Sequence, residues 1–169
     1  MLFRSAQKET GASLLIHPGH DVTAPLAVVD VVKAEGGDIS RTVIGHLDRT
    51  FFDIRDMLKL AETGCYLEFD LFGQEISYYP FKSVDHVVHL PNDAARIDYI
   101  VQLVNNGYLN QVIIAQDICN KTSLQTYGGE GYSHIINHVV PIMLEKGLTQ
   151  EQVNQITIGN PTEALTISN

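Results

Sequence analysis

Three metal-capable side chains stand directly after apolar segments of strand length. His17 follows the run LLI, His46 follows TVIG, and Asp117 follows VIIAQ. Imidazole nitrogens and carboxylate oxygens are the usual ligands of hydrolytic metal ions, which lower the pKa of water and polarise carbonyl or phosphoryl groups. In repeated strand–helix units, the carboxyl ends of the strands converge on one face. We therefore predict that His17, His46 and Asp117 meet in a hydrolytic metal site. The alternative is that they cap strand ends by hydrogen bonding.

Four further carboxylates lie near these ligands. Asp21 and Asp48 follow the two histidines closely, and either could orient an imidazole from outside the metal. Glu68 and Asp70 surround the end of a third apolar run and could line the same pocket. The sequence does not choose among them.

His134 and His138 are four residues apart in a predicted helix, a spacing that can bind zinc. The HExxH pattern also requires a glutamate after the first histidine, and Ile135 stands there instead. We expect this helix on the outer wall and favour a structural role for both histidines. The other histidines are expected in solvated loops: His20, His86 and His89.

The glycine-rich run from Tyr127 to His134 follows the last predicted strand and opens a helix. Backbone N–H groups in such a place can hold a phosphate or carboxylate. The same glycines can also serve only to let the chain turn. Both interpretations remain open, with the turn favoured.

Short apolar runs alternate with amphipathic segments along the chain. The runs predict buried strands over 12–16, 41–45, 65–69 and 111–115. Helical spacing and capping residues predict helices over 2–10, 25–35, 53–63, 92–106, 133–146 and 149–155. A helix followed by four strand–helix units predicts an α/β fold with a parallel sheet, in a single partial domain over 1–169.

Composition excludes several classes of protein. The net charge of −9 argues against binding to nucleic acid or to anionic membranes. No apolar run approaches the ~20 residues that span a bilayer. The opening MLFRSAQKET lacks the apolar core of a secretory signal, and Cys65 and Cys119 have no CxxC partner. We expect a cytoplasmic protein with two reduced thiols and a small-molecule substrate.

Four motifs in order along the chain resemble the phosphotriesterase family of the amidohydrolase superfamily: GHLDRT, IIAQDIC, YGGEGYSHI and EKGLTQEQVNQITIGNPTEAL. LEFDLFG and YGGEGYSHI are similar in particular to the animal phosphotriesterase-related group. The resemblance covers essentially the whole chain. It implies a TIM-type (β/α)8 barrel metallohydrolase, of which this chain is the C-terminal half, strands five to eight with their helices.

The resemblance also implies ligand roles. His17 and His46 match the histidines that bind the more exposed of two divalent metal ions, usually zinc. Asp117 matches the aspartate that binds the more buried ion and acts as the catalytic proton acceptor. Gln116 departs from the family pattern, where another polar residue is common. The family's remaining ligands, an HxH pair and a bridging lysine or carboxylate, match nothing in the 169 residues.

The resemblance implies hydrolysis of a small N-acyl amide, such as N-acetyltaurine or an N-acetyl amino acid, by metal-activated hydroxide. Because a full barrel takes about 250 residues, we expect this chain to be a truncated product, inactive alone and prone to self-association through open barrel edges. The alternatives are a phosphotriester or lactone hydrolase, a non-catalytic product with weak metal binding or an interaction role, and an α/β module that binds a phosphorylated ligand at Gly128–Gly131.

Overall fold

The computed structural model describes residues 2–78 and 88–167, without the side chains of Leu2 and Arg4. His86 lies outside the described residues, as does part of the long loop that follows the third strand. His89 is described, and its side chain is exposed as expected.

Four short parallel strands form the only sheet of the described residues, in the order β1-β2-β3-β4. Their bounds are Leu14–Ile16, Thr42–Ile44, Tyr66–Phe69 and Val112–Ile114. Leu15 pairs with Val43, and Glu68 pairs with Ile113. Sequential order with parallel pairing requires a crossover between each pair of strands. The predicted parallel sheet is confirmed.

Helices precede the first strand and follow every strand. Their bounds are Leu2–Thr10 (α1), Ala24–Ala34 (α2), Ile54–Ala61 (α3), Asp93–Asn105 (α4), Val140–Glu145 (α5), Gln150–Asn154 (α6) and Asn160–Leu165 (α7). π-Helical segments Ile135–Val139 and Gln155–Gly159 lead into α5 and α7. Asn92 caps α4, and Thr149 forms a capping box with Gln152, as predicted.

Two helix predictions were wrong in detail. Ser133 does not begin the helix before α5 as a side-chain cap; the segment starts at His134 without a side-chain capping bond. The last helix does not end at Gln155 but continues through the second π-helical segment into α7. Pro161 stands in the first turn of α7.

The two faces of the sheet differ. Ile44, Leu67 and Val112 are fully buried against the helices in the main hydrophobic core. Val43 and Ile113 belong to a smaller cluster with Tyr66 and Ala164. Alternate residues of a strand point to opposite faces, so the second cluster lies on the other side of the sheet. Leu15, which pairs with Val43, is 68% exposed on that side.

No helix among residues 2–78 and 88–167 has the length and apolar character that crossing a membrane requires. Cys65 is buried and Cys119 is exposed, and both are free thiols as predicted.

Candidate metal centre

His46 is held by two hydrogen bonds to one carboxylate. Its backbone N–H donates to Asp70 Oδ2 over 3.0 Å, and its ring Nδ1 lies 2.9 Å from Asp70 Oδ1. Because Asp70 accepts a hydrogen bond from Nδ1–H, the neutral ring carries its lone pair on Nε2. A carboxylate that fixes the tautomer in this way is the usual outer partner of a metal-binding histidine.

The free face of His46 points at His17. His46 Nε2 lies 2.7 Å from His17 Nδ1, and the two rings meet edge to face with centroids 4.2 Å apart. Arg49 Nη2 lies 3.0 Å from the other nitrogen of His17, Nε2. Desolvation, with the neighbouring His46 and Arg49, lowers the pKa of His17. The neutral imidazole, which is the form that binds metal, is therefore favoured.

Asp117 lies in the same depression as the two histidines. This depression at the carboxyl ends of the strands has a volume of about 380 Å³ and is also lined by Glu68 and Asp70. The Asp117 side chain is exposed. Gln74 donates from Nε2 to the carbonyl oxygens of Gln116 and Asp117, over 2.9 and 3.3 Å. These bonds tie the loop that carries Asp117 to the loop after β3.

His46 and Asp117 share an uncommon backbone conformation. Their φ angles are 55° and 43°, and among the described residues no other non-glycine residue has a positive φ. Such conformations cost free energy and concentrate at functional sites. The strain therefore marks the same two positions that the strand-end pattern selected.

Glu68 contributes a titratable group near neutral pH. Burial, with the Asp70 carboxylate as the second cause, raises the pKa of Glu68 to about 7. Perturbed carboxyl groups in a cleft are typical of functional sites. Its place on the inner face of β3 makes it the fifth polar side chain of the depression.

The donor set fits a divalent metal ion. In the hydrogen-bond chain Arg49–His17–His46–Asp70, a single proton lies between His17 Nδ1 and His46 Nε2. A divalent ion could take that proton's place with both nitrogens as ligands if the proton moved to His17 Nε2, so that the His17 ring stayed neutral. His17 would then carry its proton on Nε2, and Arg49 would have to withdraw from that nitrogen.

The structure decides among the carboxylates that the sequence left open. Asp70 orients His46, whereas Asp48 orients no imidazole: its Oδ2 accepts from Arg96 Nε over 2.8 Å and from the Leu71 N–H. Asp21 accepts from the backbone N–H and the hydroxyl of Thr23, just before α2. The only sequence signal for Asp70 was its position at the end of a buried strand.

The glycine-rich loop serves the turn rather than an anion. The N–H groups of Gly128, Gly129 and Gly131 donate to the carbonyls of Gln125, Leu124 and Ser123. A Cβ at Gly129 would come within 2.3 Å of the Ser123 backbone. These three N–H groups already donate hydrogen bonds within the loop. The interpretation that the glycines let the chain turn is therefore confirmed, and the phosphate-binding alternative loses its basis.

Comparison with known sequences and structures gives consistent results. The profile described as "Phosphotriesterase family" matches residues 3–165. An "N-acetyltaurine hydrolase" of Dictyostelium discoideum is 48% identical over 96% of this chain and 43% of its own length. A "Phosphotriesterase-related protein" of Nematostella vectensis is 46% identical over 96% of this chain and 45% of its own. The chain thus spans less than half the length of these relatives.

Two solved structures share the fold. A resiniferatoxin-binding protein from Rhodobacter sphaeroides superimposes with a TM-score of 0.85 at 31% identity, covering 94% of this chain and 43% of that chain. A phosphotriesterase homology protein from Escherichia coli, complexed with phosphate in its active site, gives 0.80 at 27% identity over 95% and 50%. The predicted fold class, half of a TIM-type barrel, is confirmed.

Proposed function

The chain belongs to the phosphotriesterase family, and from this premise we propose that its strand-end site is the metal-binding half of a hydrolase active site. One observation carries the proposal: His17 Nδ1 and His46 Nε2 face each other 2.7 Å apart in the depression that also contains Asp117. Two divalent ions, with zinc as the expected metal, would supply Lewis-acid polarisation of the substrate and water of lowered pKa.

Each residue has a proposed role in this reaction. His17 and His46 hold the more exposed ion, and Asp117 is a ligand of the more buried one. Asp117 also takes the proton of the attacking water and passes it to the leaving amine. Asp70 keeps His46 in the tautomer whose Nε2 is available, and Gln74 positions Asp117 through its carbonyl.

We propose a small N-acyl amide as substrate, cleaved by water to a carboxylate and an amine. The support is the likeness to proteins named "N-acetyltaurine hydrolase", at 48% identity in Dictyostelium discoideum and 44% in Bos taurus. A cytoplasmic location and a small-molecule partner, without nucleic acid or membrane, remain part of the same proposal.

A second candidate function is a non-catalytic metal-binding or interaction protein. It is favoured by the share of the relatives that the chain spans, 43% and 45% of their length. The 169 residues supply three of the proposed ligands. The HxH pair of the family has no counterpart in the sequence. We therefore propose that the chain is inactive alone and that activity needs the other half of the barrel.

The test compares the 169-residue chain with the protein that includes any preceding coding sequence of the gene. Release of taurine from N-acetyltaurine is measured with and without added zinc. In the active form, Asp117→Asn should lower kcat by about 10²–10⁴, the usual size of a general acid–base contribution, while most metal stays bound. His46→Ala should lose activity together with metal, and excess zinc should partly restore it.

Asp30→Asn, which alters an exposed carboxylate on α2, is the matched control and should be neutral. Near-normal turnover of Asp117→Asn would reject the proton-transfer role. If neither form of the protein hydrolyses the amide but the 169-residue chain binds zinc, the non-catalytic candidate is favoured instead.

A further inference from the structure

A second group of metal-capable side chains lies in the helix before α5 and the loop that leads into it. Glu130, His134 and His138 stand at intervals of four residues, with Glu130 in the loop and the two histidines in the helix. One donor atom from each lies within 4.8 Å of the other two. The sequence favoured a structural role for the two histidines because Ile135 stands where the HExxH pattern has its glutamate, and it did not indicate that Glu130 would join them.

His134 has its tautomer fixed by a buried carboxylate. Its Nε2 lies 2.6 Å from Asp93 Oδ2, and its side chain is only 9% exposed. Asp93 is itself held as a carboxylate, since Oδ1 accepts from Arg96 Nη1 over 2.7 Å and the Gly73 N–H donates to it. The neutral His134 ring therefore donates a hydrogen bond from Nε2–H to Asp93 and carries its lone pair on Nδ1.

The Nδ1 atom of His134 is buried and has no hydrogen-bond partner among the described residues. Glu130 Oε2 is 3.2 Å away, but its direction does not meet hydrogen-bond geometry. An unprotonated ring nitrogen and a carboxylate oxygen at this distance repel each other, because both carry negative partial charge. Either a proton on Nδ1 or a cation between the two groups would remove the repulsion.

The third side chain favours the cation. The His138 ring is tilted 40° to the His134 ring with centroids 5.3 Å apart, so a further imidazole nitrogen faces the same space. A proton on His134 Nδ1 would satisfy one acceptor at most, whereas a metal ion can take one lone pair from each of the three groups. Two nitrogens and one carboxylate oxygen are a common zinc ligand set.

We propose that His134, Glu130 and His138 form a separate binding site for zinc or a similar divalent transition metal, with water as the fourth ligand. Asp93 plays the outer role of the carboxylate in a carboxylate–histidine–metal arrangement. Ligand atoms around tetrahedral zinc lie roughly 3.4 Å apart at bond lengths of about 2.1 Å. Glu130 and His138 are exposed side chains, and rotation of these two can close the remaining distance.

Occupancy of this site would join three parts of the fold. Glu130 belongs to the loop after β4, His134 begins the next helix, and Asp93 is the first residue of α4. Glu130 also lines a polar cavity of about 350 Å³ together with Gln74 and Gln116, which adjoin Asp117. The metal would therefore stabilise the rim of the candidate catalytic depression without being one of its ions.

The test uses the 169-residue chain carrying His17→Ala and His46→Ala, so that the strand-end histidines cannot bind. Zinc affinity is measured by competition with a chromophoric chelator, and cobalt is added to record its visible absorption. We expect one zinc per chain and a tetrahedral cobalt spectrum. Adding His138→Ala or Glu130→Gln should weaken zinc binding at least about 10-fold, because loss of even an outer partner typically costs 10–100-fold.

His89→Ala removes another exposed histidine and is the matched control, which should leave the affinity unchanged. Because Glu130 and His138 are exposed, their replacement should not prevent folding, which circular dichroism will verify. The proposal is overturned if the double-alanine chain binds no zinc, or if His138→Ala and Glu130→Gln bind it as tightly as that chain does. The proposed zinc site is independent of the strand-end site. A chain that carries only His138→Ala, with His17 and His46 intact, tests the strand-end site alone.

Discussion

At the scale of the residue, Asp70 is the group on which the orientation of His46 depends. It bonds both the backbone N–H and the ring of His46. Asp70→Asn keeps the size of the side chain, but its neutral amide cannot accept the Nδ1–H hydrogen bond with a negative charge, as the carboxylate does. We expect zinc affinity at the strand-end site to fall about 10–100-fold. Metal titration of chains carrying His138→Ala would measure it.

Asp98→Asn, an exposed carboxylate paired with Lys146, is the control for this measurement. Equal affinities of the Asp70 and Asp98 variants would show that His46 needs no outer partner.

Glu68 should give the metal-free chain a recognisable pH dependence. Its pKa rises from 4.5 to about 7 on folding, so between these values the folded state binds more protons than the unfolded state. The contribution of Glu68 to the free energy of unfolding therefore falls as pH rises through this window, by about 3 kcal/mol in all. Glu68→Gln removes the titration, so its stability relative to wild type should rise from pH 4.5 to 7.

Urea unfolding with a chelator present, at several pH values, measures this difference. Glu9→Gln, an exposed carboxylate on α1, should follow wild type at every pH. A constant difference between Glu68→Gln and wild type would contradict the raised pKa.

The sequence could predict that His17, His46 and Asp117 lie together, because each stands at a strand end, and the three line one depression. Their role as metal ligands stays a prediction. It could not choose Asp70 over Asp48, although both are near His46. That choice depends on the left-handed backbone of His46, which turns its N–H and ring toward β3. Long-range geometry of this kind has no local sequence signal.

At the scale of the element, all four strands lie within their predicted ranges but are shorter. The run 12–16 gives a strand of three residues, Leu14–Ile16, because Ala12 and Ser13 do not pair in the ladder. Helix ends with a capping side chain, at Asn92 and Thr149, were predictable. The π-helical segments were not, since no residue type marks them.

Arg96 on α4 holds several elements together from a fully buried position. Its Nε donates to Asp48 after β2, Nη1 to Asp93, and Nη2 to the carbonyl of Gln74. Arg96→Met keeps much of the volume but leaves two buried carboxylates without their cation. Removing one partner of a buried pair typically costs about 3–5 kcal/mol, which we expect in urea unfolding.

Arg55→Met is the comparison, since Arg55 pairs with Asp53 at the surface and is 81% exposed there. Exposed pairs contribute about 0–1 kcal/mol. Similar losses in the two variants would mean that the Arg96 network contributes no more than a surface pair.

At the scale of the whole molecule, β1 and β4 are each paired on one side only within the described residues. Beside β1 lies an apolar groove of about 610 Å³, lined by Leu14, Leu15, Val28, Val31 and Phe3 among others. Unpaired edges and exposed apolar surface both promote association. We expect the chain to form dimers or larger species at micromolar concentration in sedimentation velocity.

Leu15→Lys places a charge on the exposed inner face of the edge strand and should shift the chain toward monomer. Lys8→Gln, a surface change on α1, should not. A wild-type chain that stays monomeric and melts cooperatively at all concentrations would contradict this prediction. The parallel α/β fold was predictable from the alternation of elements, whereas the exposed groove depends on how α1 and α2 pack.

The left-handed backbone at His46 and Asp117 also bears on how this scaffold would change under selection. A non-glycine residue in that conformation costs about 1–2 kcal/mol, and glycine adopts it freely. Engineering for thermal tolerance alone would thus favour glycine at the two positions where the chemistry is expected. At these two positions, a substitution that relieves the backbone strain would remove a side chain that is expected to act. Both positions should therefore be left out of any consensus or stability-driven library.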